Sequence, residues 1–169
     1  MTARPATPAD AAAIARIYNQ AIAERNATFE TRPRTAKEVA AWFDGRHPII
    51  VVEEEGQVIA YAATLAYSPR ACYAGIAEVS LYVERGARAR GAGRLAVTEL
   101  LGAAEAAGFW KLVARIFSDN LASRRVAEAL GFREVGIHEK HGCLDGRWRD
   151  VVVVERLIPE NLRSPAQPE

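Results

Sequence analysis

Cysteine is scarce in this 169-residue sequence, at Cys72 and Cys143 alone. Neither stands in a CxxC pair or at a metal-binding spacing from histidine, and two cysteines build no disulfide framework. The chain therefore reads as a reduced, cytoplasmic protein without a metal site. Lysine is nearly absent too: Lys37, Lys111 and Lys140 stand among 22 basic residues, the rest arginine. Acidic residues number 21, leaving a formal charge of +1, which excludes a nucleic-acid or membrane-surface binder that works by total charge. No window approaches about 18 uninterrupted apolar residues, and the opening MTARPATPAD has no apolar signal core, so neither a membrane span nor secretion is expected. Repeats and low-complexity tracts are lacking as well. Length and composition predict one domain over residues 1–162, with 163–169 (RSPAQPE) as a frayed tail.

What is present reads as a mixture of helices and strands. Thr7, Pro8 and Asp10 form a helix start, and Ile14, Ile17, Tyr18 and Ala21 continue at helical spacing to about Glu24. Thr35 and Glu38 make a capping box before a short second helix carrying Val39, Trp42 and Phe43. Residues 49–53 and 57–67 predict a hairpin across a turn at 54–56, and 68–75 a loop. Residues 76–83 (IAEVSLYV) predict a strand with Ile76, Glu78, Ser80 and Tyr82 on one face. A helix over 92–107, a strand over 111–117, and a short helix over 120–130 closed by Gly131 follow. Residues 132–138 and 148–157 predict a last strand pair joined by a polar loop. Trp42 and Trp110 read as core, and the apolar run 151–154 as either core or interface. The βαβ order implies parallel pairing and the hairpins antiparallel pairing: an α+β domain with a twisted mixed sheet covered by helices.

Chemistry concentrates between residues 76 and 98. A strand ends at Val83, RARGAG runs from Arg88 to Gly93, and a helix begins inside that glycine run. Free N–H groups at a helix start, small residues that let a ligand approach the backbone, and the cations Arg85, Arg88, Arg90 and Arg94 suit a polyphosphate. A P-loop is excluded, since no Lys-Ser or Lys-Thr occurs. GxGxxG is absent, because Leu95 and Ala96 follow Gly91 and Gly93. The run does match (R/Q)-x-x-G-x-(G/A).

In that motif the chain resembles the GCN5-related N-acetyltransferase (GNAT) superfamily, whose members bind the pyrophosphate of acetyl-coenzyme A there. NLASRRVAEALGF, from Asn120 to Phe132, resembles the superfamily's second coenzyme-contacting segment, and RPATPAD with YNQAI its first motif. ATFETRP, PRACYAGIAEVSLYV and DGRWRDVVVVE are similar to the phosphinothricin and methionine sulfoximine acetyltransferase branch. Within that branch, EKHGCLDGRWRDVVVVERLIPENL resembles the arsinothricin-resistance enzymes. The resemblance implies a GNAT fold, with helices on both faces of the sheet, and acetyl-CoA as cosubstrate. It implies coenzyme contacts from Leu81, Tyr82, Val83, Arg88, Ala89, Arg90, Gly91, Ala92, Gly93, Asn120 and Ser123. It also implies a homodimer.

Amine acetylation needs a neutral amine, a polarised thioester carbonyl and a proton for the leaving thiol. Glu78, mid-strand among apolar residues, matches the acid to which relatives assign the base role. The stretch 81–83 matches the backbone N–H that polarises the carbonyl. No Tyr or His lies between Leu121 and Phe132, so water or Ser123 is left to protonate the thiol. For the acceptor, Arg70 is the expected anion clamp, Tyr73 and Phe29 the pocket walls, and Thr28 and Thr31 polar contacts. His138 and His141, in HEKHG, suit a loop or dimer edge better than a metal. Trp148 and Asp150 order the last hairpin by resemblance. The function this implies is acetyl transfer from acetyl-CoA to the α-amino group of a glutamate-like amino acid: arsinothricin, phosphinothricin or methionine sulfoximine. The alternative acceptor is a protein N-terminus or another small amine. Arg32, Arg34 and Arg70 argue against a polyamine, and a cluster without interleaved aromatics argues against nucleic acid.

Overall fold

In a computed structural model that describes residues 1–162, seven strands hydrogen-bond into one sheet. The predicted tail, 163–169, lies outside the described residues. The strands are β1 (Thr2–Pro5), β2 (Ile49–Glu54), β3 (Gln57–Ala66), β4 (Ile76–Val83), β5 (Lys111–Phe117), β6 (Arg133–Leu144) and β7 (Arg147–Leu157). Their order across the sheet is β1-β2-β3-β4-β5-β7-β6. The β4–β5 pairing is parallel and every other pairing antiparallel, as the mixture of hairpins and βαβ units requires.

Both faces of the central strands are buried. On one face, Ile14 and Ile17 of α1 (Ala11–Glu24) and Val39 of α2 (Ala36–Ala40) pack on Val51 and Tyr61. On the other, Ala96, Leu100 and Ala104 of α3 (Ala92–Ala106) pack on Val52, Ala60 and Ala62, joined by Ala127 of α4 (Leu121–Ala129). A strand buried on both faces reads as a continuous apolar run, which is why 58–63 shows no alternation. The α2 start is the expected capping box: Thr35 Oγ1 accepts from the Glu38 N–H at 3.2 Å, and Glu38 accepts from the Thr35 N–H at 2.7 Å.

Four expectations need correction. The edge strand β1 is not foreseen, because four residues ending in proline carry no readable period. It is held by Arg4, which donates to both Asp10 oxygens at 2.8 and 2.9 Å and to Glu53 at 2.5 Å. Before α1, Thr7 is the expected N-cap, but it opens a 3₁₀ turn at Pro8–Asp10 rather than α1 itself, and the Asp10 carboxylate accepts the Thr7 N–H at 2.8 Å. The polar loop expected between the last two strands is mostly strand. β6 runs to Leu144 through a bulge at His138–Gly142, and the link to β7 shrinks to Asp145 and Gly146. The bulge puts Lys140 at φ +48, where its N–H donates to Asp150 at 2.8 Å. Finally, Trp110 and Trp42 are half-buried at the margin of the core, whereas Val151, Val152 and Val154 are buried within the monomer.

Candidate active site

β4 pairs with β3 from Ala77 to Val83, but with β5 only from Ile76 to Glu78. Past Glu78 the parallel strands part, and the β5-facing backbone of residues 79–83 has no strand partner. Two cavities open at that parting. One, of about 430 Å³, is lined by Glu78, Arg115, Thr28, Phe29, Tyr82 and His141. The other, of about 670 Å³, lies against the α3 start and is lined by Val83, Arg88, Ala89, Gly91, Gly93 and Arg94. Leu81, Tyr82, Asn120 and Ser123 line both, so the cavities meet along the second half of β4.

The larger cavity is a backbone cradle. Ala89 and Gly91 both have positive φ, +61 and +91, which turns the chain tightly before α3. Gly93 lies so close to β4 that a Cβ there would meet Leu81 and Val83, each at 3.3 Å. Arg88 and Arg85 both reach Glu24, each at 2.8 Å. Burial works to raise the Glu24 carboxyl, but the two guanidiniums outweigh it and hold it below its ordinary value. Opposite, Asn120 caps α4 by accepting the Ser123 N–H at 3.2 Å. Cations, amides at a long helix start and absent side chains are what a pyrophosphate requires. Of the residues expected at the coenzyme, Leu81, Tyr82, Val83, Arg88, Ala89, Gly91, Ala92, Gly93, Asn120 and Ser123 line this cavity. Arg90 does not: it turns away and donates to both Glu54 oxygens at 2.7 Å.

The smaller cavity gathers side chains from distant segments. Phe29, isolated in the sequence, packs edge-on against Phe117 at 4.7 Å between centroids, beside Leu144 and Val151. It fits only because residue 142 has no side chain; a Cβ at Gly142 would lie 2.5 Å from its ring. The Tyr18 and Tyr82 rings meet tilted by 50°, 5.0 Å between centroids, and burial pushes both phenols up from their ordinary value, so neither serves as a base near neutrality. Glu78 faces into this cavity from β4, hydrogen-bonded to Arg115 at 2.8 Å.

Glu78, Thr28 and Phe29 therefore meet as expected, whereas Arg70 and Tyr73 line neither cavity. Arg70 lies on the loop after β3, its guanidinium 5.4 Å from the Tyr73 ring centre. Arg115 and His141 are missing from the sequence expectation of this site. Arg115 does leave a signal, as a lone cation in the apolar strand KLVARIF. His141 leaves none, since the bulge that carries it depends on pairing with β7. Among the described residues, no group of three or more His, Cys, Asp or Glu is arranged to hold a metal.

The family model for the acetyltransferase (GNAT) domain matches residues 4–153. The chain belongs to the GNAT acetyltransferase family. It is 35% identical to the phosphinothricin N-acetyltransferase of Streptomyces viridochromogenes, over 98% of this chain and 91% of that one. It is 32% identical to the L-methionine sulfoximine/L-methionine sulfone acetyltransferase of Salmonella typhimurium, over 98% and 99%. A GNAT phosphinothricin acetyltransferase from Sinorhizobium meliloti, solved in complex with acetyl-CoA, superimposes with a TM-score of 0.90 at 32% identity, covering 98% of this chain and 93% of that one. This is the GNAT fold, with the parting of β4 from β5 at its centre.

Proposed function

We propose that this member of the family transfers the acetyl group of acetyl-CoA to the α-amino group of a glutamate-like amino acid: arsinothricin, phosphinothricin or methionine sulfoximine. The observation that carries the reading is the meeting of an anion cradle and a carboxylate-bearing cavity along one unpaired strand edge, with Glu78 on the acceptor side. Acetyl-CoA supplies the acetyl group as a thioester. Arg88, Arg94 and the amides at the start of α3 hold its pyrophosphate. Glu78 takes one proton from the acceptor ammonium; the freed nitrogen bonds to the carbonyl carbon and gives up its second proton, through Ser123 or water, to the sulfur as the carbon–sulfur bond breaks. A backbone N–H in 81–83 donates to the carbonyl oxygen. Ser123, which lines both cavities, supports the reading that it or water returns a proton to the sulfur. Phe29 and Thr28 wall the acceptor. Arg70 and Tyr73, in this reading, reach it only by movement of the 68–75 loop.

The protein acts in the cytoplasm in this reading, and among the described residues no helix is long and apolar enough to cross a membrane. It pairs as a homodimer through the outer strands, where Val135, Ile137 and Trp148 are exposed. Thiol release from acetyl-CoA with arsinothricin, phosphinothricin, methionine sulfoximine, glutamate, spermidine and an N-terminal peptide tests the reading. Turnover confined to the amino acids supports it. Turnover with only spermidine or peptide overturns the acceptor assignment, and failure to bind acetyl-CoA overturns the whole.

A further inference from the structure

Arg115 stands apart from the other arginines around the acceptor cavity. Arg149 donates to both Asp119 oxygens at 2.9 and 3.1 Å and lies 4.3 Å from the Phe117 ring centre. Arg34 is committed to Glu30 at 2.6 Å and to the Arg32 carbonyl at 2.7 Å. Arg115 is the one arginine among the cavity's lining residues, and its contact there is Glu78, at 2.8 Å. The two side chains are 46% and 27% exposed. Water screens such a pair and side-chain entropy opposes it, so it exchanges readily for a better-matched partner.

We propose that Arg115 is the receptor for the acceptor's α-carboxylate, and that binding exchanges the Glu78–Arg115 pair for two pairs with the substrate. The inference rests on reading this cavity as the amino-acid acceptor site. An α-amino acid carries an ammonium and a carboxylate on one carbon atom. The cavity offers a carboxylate and a guanidinium within hydrogen-bond distance of each other, the complementary arrangement. With no acceptor bound, Arg115 occupies one of the two Glu78 oxygens, Oε2. The substrate carboxylate takes the guanidinium, and the vacated Glu78 oxygen receives the ammonium proton. An amine with no neighbouring carboxylate leaves the pair closed and the base occupied. Arg115 is thus a positioning and specificity residue: it selects α-amino acids by releasing the base to them.

The test compares Arg115→Gln with the wild type on L-methionine sulfone, its α-carboxamide and L-phosphinothricin, with acetyl-CoA binding measured by calorimetry. The Michaelis constant for both amino acids should rise about 10- to 100-fold, with a smaller fall in turnover. The carboxamide, poorly used by the wild type, should be used better by the variant, because Glu78 is then unpaired. A merely structural role for Arg115 does not produce that gain. Arg115→Lys should restore part of the amino-acid affinity, and acetyl-CoA binding should match the wild type throughout. A Michaelis constant for L-methionine sulfone within about twofold of wild type overturns the proposal. A loss confined to phosphinothricin also overturns it, assigning Arg115 to the distal acid instead. Wild-type turnover of spermidine or peptide but of no amino acid is distinguishable from both, since it removes the acceptor reading itself.

Discussion

The cavity at the start of α3 takes most of its wall from two stretches of chain, 81–94 and 119–126. The cavity around Glu78 is lined by residues near 18, 27–30, 65, 78–82, 97, 114–117, 120–127, 132, 141 and 151. The first offers a ligand mostly backbone: positive-φ residues, a helix start and the space left by Gly93. The second offers a ligand side chains that four or more elements bring together. A backbone cradle is a property of local sequence and suits a cosubstrate common to a whole family. A side-chain cavity is rebuilt by single substitutions on separate elements, and it suits an acceptor that differs between relatives.

The largest expected effect breaks the two apart. Glu78→Gln should lower turnover by about 100-fold or more, the scale of a lost general base, while calorimetric acetyl-CoA affinity stays at wild type. Retained turnover removes Glu78 from the base role. Gly93→Leu should do the reverse, because its side chain runs into Leu81 and Val83. At an overpacking cost of about 1–3 kcal/mol, coenzyme affinity should fall roughly 5- to 150-fold, with the acceptor's Michaelis constant at saturating coenzyme little changed. Unchanged coenzyme binding would mean that the cradle is not where the pyrophosphate sits.

Gly142→Val asks whether the acceptor cavity depends on its remote parts. The new side chain meets the Phe29 ring. It should cost about 1–3 kcal/mol in denaturant unfolding and raise the acceptor's Michaelis constant, leaving acetyl-CoA binding alone. A variant as stable as wild type would show that Phe29 has another place to go.

The smallest effect lies outside both cavities. Arg32, followed by the Thr35 N–H, holds the Glu38 carboxyl down at about 2, below its unperturbed 4.5. The stabilisation is therefore complete above pH ~4.5, where both folded and unfolded forms are ionised, and is lost as pH falls toward about 2. Thr35→Ala should cost about 1 kcal/mol near neutrality. Glu38→Gln should flatten the fall in stability between those pH values without altering acetyl-CoA binding. An acid profile identical to wild type removes Glu38 as its source.

These contrasts explain what was legible beforehand. Strand β4, the turn into α3 and the Asn120 cap each announce themselves within about a dozen residues, through period, glycine and capping chemistry. Glu78 stood out as a charge in an apolar strand, and Arg115 carries the same signal one strand further on. Their pairing is invisible in sequence, because residues 37 positions apart become neighbours only when β4 and β5 pair in parallel and then part. Arg70, the nearest arginine before the acid, is an inference from sequence proximity. The loop after β3 carries it outside both cavities.

By itself, then, the sequence determined most of the elements, the glycine turn into α3 and the place of Glu78 on β4, since each is set by interactions between residues close along the chain. Only the tertiary structure decided the edge strand β1, the bulge that turns His141 into the cavity beside Glu78, the burial of Val151, Val152 and Val154 and the choice of Arg115 as partner to Glu78. Those features depend on which strands lie side by side and where they separate. Strand order and register are settled by burial over the whole sheet, a sum to which no single segment holds the terms.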